Sequence, residues 1–281
     1  MMSHEKTISH LARTDEERLL LAHTEDLLLR CESGIACSDF LNLGEQYLIR
    51  AFLSACGKQE HTDYVFYGAY PAAERRILFL FPAYISESLQ YFPDAENGTD
   101  TICVEEHAIR ALKITGSGYR TLTHRDYLGS CLALGVERSV IGDIAVLDDS
   151  TAVLFAKTAM ADYLMTSLER IGSDKVRITA LTGEEALQTP DTRRWETFSD
   201  TVASLRLDGV VAAAANLSRD KAKQTVAAGF VDVDFRPCTA PDTELVPGTY
   251  LSIRGFGRYL LSDVDGLSKK GRIRIRIKKL V

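Results

Sequence analysis

The residues with the clearest chemical potential are cations in the last third of the chain. Arg219, Lys221 and Lys223 follow Ser218, a residue type that caps helix starts, and the segment runs to Gly229, a type that ends them. Cations in the first turns of a helix oppose its dipole and cost roughly a few tenths of a kcal/mol each, so stability does not account for them. With the free N–H groups of that helix end they form a corner suited to phosphate, and Arg206 lies shortly before it. A second set alternates. Arg272, Arg274, Arg276 and Lys278 fall on one side of an expected strand, Ile273, Ile275 and Ile277 on the other, and Lys270 precedes them. Between the two sets, Ile253-Arg254-Gly255-Phe256-Gly257-Arg258-Tyr259 joins glycine turns to guanidinium and aromatic groups. Such groups stack on unpaired bases, with buried packing as the plainer role for Phe256 and Tyr259. A solvated charged surface is the plainer role for the cations.

Thr123-His124-Arg125-Asp126 invites an enzyme reading and fails it. The His-Arg-Asp of a kinase catalytic loop needs an Asn a few residues on, where this chain has Tyr127-Leu128-Gly129-Ser130-Cys131. Ile114-Thr115-Gly116-Ser117-Gly118 lacks a full GxGxxG. Thr123 is instead expected to cap a helix with Asp126 in its first turn, leaving His124 and Arg125 to face RNA or to organise the fold. The six cysteines form no CxxC pair and no cluster with zinc spacing, so reduced, mostly buried thiols and no metal or cofactor are expected.

A chain of 281 residues suggests two or three domains. Its net charge of −6 argues against a nucleic-acid partner until it is divided. From Ser199 onward 14 Lys+Arg stand against 9 Asp+Glu, a local +5, which leaves −11 for the remainder. Such asymmetry marks an electrostatic partner for one half. No run nears the ~18 apolar residues of a membrane helix, and the first residues lack a signal-peptide core. A cytoplasmic protein with no membrane partner and no small-molecule substrate is expected.

Periodicity places the elements. Helices are expected over residues 14 to 31, with Thr14 and Glu17 at capping-box spacing, over Asp39 to Cys56, and, shorter, over Tyr70 to Arg76. Strands are expected at Asp63 to Tyr67 and Ile77 to Phe81, and a loop at Pro93 to Asp100. The middle segment reads strand Ala111–Ile114, helix Thr123–Leu134, strand Gly142–Leu147, strand Thr151–Phe155, helix Thr158–Ile171 and strand Val176–Leu181. That is the βαββαβ order of ferredoxin-like and RRM-like folds. Thr182 to Arg194 reads as a linker. In the last third, Leu207, Val210, Val211 and Ala214 make one helix stripe. Ser218 to Ala228 makes a second helix. Strands follow at Val231 to Val233 and Tyr250 to Ile253, with a turn near Arg236-Pro237 between them. The expected class is α+β, with an N-terminal domain over residues 1–80, an RRM-like middle domain over 81–185 and a basic module over 199–281.

Arg206-Leu207-Asp208, Ser218-Arg219 with Ala222, and Gly229-x-Val231-x-Val233 resemble the S4 RNA-binding motif, whose alpha-L fold packs two helices on a small sheet. Asp234-Phe235 stands where that motif usually has Asn-Gly, and Gly248-Thr249 where it has Gly-Asp. Four further blocks widen the likeness: Tyr67 to Arg76, Leu122 to Gly129, Ile141 to Ile144 and Arg254 to Arg258. Together these resemble the YlmH family of bacterial proteins over nearly the whole chain. The resemblance implies a C-terminal S4 domain and binding of rRNA and tRNA. It also implies the large ribosomal subunit, especially one carrying stalled peptidyl-tRNA, as partner in ribosome rescue and quality control. The RNA-binding residues expected are Arg206, Asp208, Ser218, Arg219, Lys221, Lys223, Arg254, Arg258, Lys270, Arg272, Arg274 and Arg276, with His124 and Arg125.

Two other classes stand beside this one. An S4-bearing pseudouridine synthase needs a catalytic Asp in a separate domain, and Asp208 already lies inside the S4 pattern; a methyltransferase needs a glycine-rich cofactor loop, which is absent. A protein-interaction scaffold would make the acidic N-terminal part the working one. A non-enzymatic RNA-binding protein remains the leading expectation.

Overall fold

The computed structural model describes residues 4–86 and 108–281, and they divide into two compact units, residues 1–192 and 193–281. The expected loop at Pro93 to Asp100, and Cys103, lie outside the described residues.

The first unit opens with α1 (His4–Leu11), α2 (Asp15–Arg30), β1 (Ala36–Leu41), α3 (Leu43–Ala55), β2 (Tyr64–Tyr67), β3 (Arg76–Leu80) and a single turn, α4 (Ala83–Ser86). Thr14 caps α2 by accepting from the Glu17 N–H at 3.1 Å. The helix expected from Asp39 begins four residues late. Asn42 and Glu45 form a reciprocal capping box that starts α3 at Leu43, and Asp39 to Leu41 belong to a strand. The segment expected as a helix over Tyr70 to Arg76 is a turn as far as Arg75, and Arg76 opens β3. There the Glu74 and Arg75 N–H groups donate to the Asp143 carboxylate at 2.6 and 3.1 Å, so a distant side chain supplies the partner that a helix would have provided.

β1, β3 and β2 form an antiparallel sheet in that order, buried on both faces. Tyr64, Phe66, Leu78 and Leu80 face Leu21, Leu48 and Phe52 of the helices. Phe40, Val65, Ile77 and Phe79 face a second sheet. Burial of both faces is why Ile77 to Phe81 reads as an unbroken apolar run.

The second sheet has the order β5-β6-β4-β9, all antiparallel, from β4 (Ile109–Thr115), β5 (Ile141–Val146), β6 (Thr151–Lys157) and β9 (Arg177–Ala180). α5 (His124–Ala133) and α6 (Thr158–Ser167) cover one face through Leu112, Ile114, Leu154, Tyr127 and Leu164. α6 ends earlier than expected, and Ile171 belongs to a small hairpin of β7 (Arg170–Ile171) and β8 (Asp174–Lys175). Ile109, Ala111, Val153 and Phe155 cover the N-terminal sheet. At Gly142 a β-carbon would lie 2.7 Å from the Phe40 ring, so the two sheets approach where only glycine fits. The first half of the expected linker is α7 (Gly183–Leu187), capped by Thr182 and Glu185, with Ala186 in the shared core. Of the described cysteines, Cys31 and Cys131 are buried and Cys37, Cys56 and Cys238 half-buried, all free. Burial pushes the Cys131 thiol up to about 11, which removes it from thiolate chemistry.

The C-terminal unit is one six-stranded antiparallel sheet in the order β10-β15-β14-β13-β11-β12 with two helices on one face. Its elements are β10 (Trp195–Val202), α8 (Leu207–Ala215), α9 (Arg219–Ala227), β11 (Val231–Val233), β12 (Arg236–Pro237), β13 (Tyr250–Ile253), β14 (Gly257–Leu267) and β15 (Ile273–Leu280). Leu207, Val210, Val211 and Ala214 of the α8 stripe meet Ile275 and Ile277 of β15 in its core. The unit starts before Ser199, because β10 pairs with β15 along its whole length, Trp195 opposite Leu280. The β11–β12 turn is Asp234-Phe235, two residues earlier than expected, with both residues at positive φ (46° and 65°). That is the backbone an Asn-Gly pair adopts most easily. The Asp234 carboxylate accepts from the Tyr250 N–H at 2.9 Å, and the Phe235 ring packs on Tyr250, which fixes the turn.

Candidate nucleic-acid interface

The cations form three groups in the structure. The first is built at the meeting of α8 and α9. Arg206 precedes α8, and Asp208 in its first turn is 3% exposed. The Asp208 carboxylate accepts from Arg206 Nε at 3.4 Å and from Arg219 Nη2 at 3.4 Å. Burial acts to raise its pKa, but hydrogen bonds and charge from both arginines hold it below the ordinary 3.8. Asp208 therefore cannot meet RNA itself. It positions Arg206 and Arg219, whose side chains remain 42% and 55% exposed. Asn216 turns the chain between the helices in the left-handed conformation, at φ 51°. Ser218 caps α9 by accepting from the Lys221 N–H at 3.3 Å, so its hydroxyl serves the fold. Lys221 and Lys223 are exposed, as is Asp220, an acid among the cations that offsets part of their charge.

The second group follows β15. Arg272 lines one cleft of about 360 Å³ together with Arg219, Asn216 and Thr201, so the helix start and the strand start share a surface. Arg272 Nε donates to Thr201 Oγ1 at 3.1 Å. Arg274, Arg276 and Lys278 stand opposite Thr201, Ser199 and Thr197 of β10, which makes a row of cations beside a row of hydroxyls. Arg274 is exposed, and Lys270 is exposed in the β14–β15 turn. Arg276 departs from expectation, because it is paired with Asp263 at 3.3 Å and Asp265 at 2.9 Å. Both acids lie on β14, whose length was not legible, so the cation they neutralise looked unopposed in sequence.

The third group is Arg254 and Arg258. The Arg254 guanidinium lies 5.3 Å from the Phe230 ring centroid, and that of Arg258 lies 5.7 Å from that of Phe235. Phe256 is 37% exposed. Tyr259 is 2% exposed, and its hydroxyl donates to the Phe256 carbonyl at 3.1 Å. Tyr259 is thus a core residue and not a stacking platform.

His124 and Arg125 belong to the first unit, exposed at the start of α5. Partial desolvation, then the charge of Arg138, lowers the His124 pKa, with Asp143 opposing, so neutral imidazole is favoured at pH 7. Arg125 lines a cleft of about 540 Å³ with Arg170, Ser130 and Gly172, and Arg170 had no signal in sequence beyond its charge. The open face that RRM-type sheets use for base stacking is closed here. Ile109, Ala111, Val153 and Phe155 occupy it and are buried against the N-terminal sheet. Tyr70 stacks on Phe155 at 4.6 Å, sealing the same face. Any RNA contact by the middle fold must use its helix side or its edges.

No helix among the described residues is long and apolar enough to cross a membrane. Residues 104–185 match the family model described as "Putative RNA-binding domain in YlmH". Ribosome-associated protein quality control protein P2 of Bacillus subtilis (strain 168) is 30% identical over 243 residues, a match covering 86% of each chain. Among solved structures, cell division protein ylmH from Streptococcus pneumoniae is similar at 19% identity and a TM-score of 0.45, spanning 63% of this chain and 98% of that one. With its middle fold matched by that model and 86% of its length aligned to the Bacillus protein, the chain belongs to the YlmH family.

Proposed function

We propose that the protein acts without catalysis, in the cytoplasm, by binding structured rRNA and tRNA on the large ribosomal subunit that carries stalled peptidyl-tRNA, in ribosome rescue and quality control. The observation that carries this reading is the shared surface of Arg219 and Arg272, where exposed guanidiniums from a helix start and a strand start converge. Cations gathered from separate elements match a curved phosphate backbone better than any small ligand. In this reading the C-terminal unit is an S4-type module and the middle fold is RRM-like with its sheet face withdrawn from binding. The relative's name places that protein at the ribosome in quality control, which supports the same setting here.

Co-sedimentation with purified ribosomal subunits over a salt series tests it. Association with the large subunit is expected, falling about 10³-fold or more between 50 and 200 mM salt if some six phosphates are contacted. Salt-insensitive or absent association defeats the proposal.

A further inference from the structure

On the sheet face opposite the helices, Asp232, Ser252 and Arg258 stand side by side on β11, β13 and β14. Asp232 is in register with Ser252, and Ser252 with Arg258. Their strand neighbours Val231, Leu251, Ile253 and Tyr259 point the other way, into the core. The row lies in an open cleft of about 460 Å³ that Phe230 and Arg254 also line, with Gly229, Gly255 and Gly257 leaving the backbone accessible. The volume falls within the ~300–1,000 Å³ of small-ligand clefts. Asp232 is half-buried, and among the described residues its carboxylate has neither a hydrogen bond nor an ion pair. A carboxylate withdrawn from water without a partner costs stability, and here burial alone pushes its pKa up.

A phosphate is repelled by Asp232, so the cleft suits a group that is flat and donates hydrogen bonds. A carboxylate accepts two parallel N–H bonds, and among the RNA bases only guanine presents adjacent N1–H and N2–H donors on its Watson–Crick edge. The Phe230 ring and the Arg254 guanidinium over it, 5.3 Å from its centroid, supply planar groups for the base to lie against, and Arg258 supplies donors for O6 or for the adjoining phosphate. We propose that this cleft binds an unpaired guanine of an RNA strand and that Asp232 sets the base preference. The proposal rests on the RNA-binding reading above and adds a site with base specificity to it.

The test is fluorescence anisotropy of the full chain with labelled hexauridylate, with the same oligomer carrying one central guanosine, and with inosine in its place. The guanosine oligomer is expected to bind about 10-fold tighter than hexauridylate, and the inosine oligomer, which lacks the N2 amine, to lose most of that gain. Asp232→Asn is expected to abolish the preference while hexauridylate binding is unchanged or slightly tighter. Equal affinity of the unmodified chain for all three oligomers overturns the proposal, as does a preference that survives Asp232→Asn. The inosine arm decides the matter without any variant, should Asp232→Asn fail to fold. Free guanosine monophosphate that competes as well as the guanosine oligomer assigns the cleft to a nucleotide and overturns the strand proposal. Failure of the RNA-binding reading looks different: no salt-dependent binding to any oligomer or to the large subunit.

Discussion

Arginines do opposite work in the two units. In the first, Arg75 and Arg138 are drawn inward. Arg75 donates to the carbonyls of Phe40, Ile141 and Arg138, and Arg138 to that of Gly142 at 3.0 Å. Burial, then the neighbouring Arg75 charge, pushes Arg138 down to about 10 against the pull of Asp143. These guanidiniums hold two sheets together. In the C-terminal unit Arg219, Arg254, Arg272 and Arg274 are exposed and bond, if at all, to a single carboxylate or to hydroxyl and carbonyl oxygens of Thr201. The same residue type is structural where it is withdrawn from the surface with its donors spent on carbonyls of several segments, and available to a ligand where its guanidinium stays exposed. Net charge alone does not reveal which, since the acidic unit holds both kinds, Arg75 and Arg138 drawn inward and Arg125 and Arg170 exposed.

Substitutions can break this contrast, beginning with the largest effect. Arg75→Ala strands three carbonyl contacts and is expected to cost about 3 kcal/mol in urea unfolding of the first unit, with RNA affinity of the folded protein unchanged. A comparable loss of RNA affinity without loss of stability would reverse the assignment. The double substitution Arg219→Ala, Arg272→Ala is expected to weaken large-subunit binding about 10- to 100-fold and to reduce the salt slope by about 2, at a cost of about 1–2 kcal/mol in stability because Asp208 and Thr201 each lose a partner.

Asp208→Asn lies between the two kinds. It is expected to cost about 1–2 kcal/mol at pH 7 and to weaken RNA binding modestly by releasing Arg206 and Arg219. The sign with pH follows from its lowered pKa. The folded carboxyl sits below its unfolded value, so its stabilisation is present above about pH 4 and disappears as pH falls through the folded pKa. Acid titration of unfolding is expected to be flatter in Asp208→Asn, and an unchanged profile would mean that the Asp208 pairing with Arg206 and Arg219 does not stabilise the fold. Arg276→Ala is expected to have the smallest effect, under about 2-fold in affinity, because Asp263 and Asp265 already neutralise it. Arg274→Ala, beside it on the same face, is expected to exceed it.

Much was legible in the sequence because it is local. Capping at Thr14 and Ser218, the α8 stripe and the alternation along β15 depend on residues a few positions apart, and chain geometry converts such spacing into one face or one turn. The basic character of the last third was also countable. The turn at Tyr70 to Arg75 was not legible, since its N–H partner, Asp143, lies about seventy residues away. Nor was β10, a polar strand that exists because β15 offers it an edge.

The sequence by itself therefore determined the capped helices, the order of elements in the middle fold and the presence of a cationic C-terminal surface. Only the tertiary structure decided which cations are free to act. It buried Asp208 behind two arginines, neutralised Arg276, placed Arg219 and Arg272 at one cleft and closed the face of the middle sheet. The physical reason is that a charged group's availability depends on its partners in space, and those partners come from strands and turns distant in the chain.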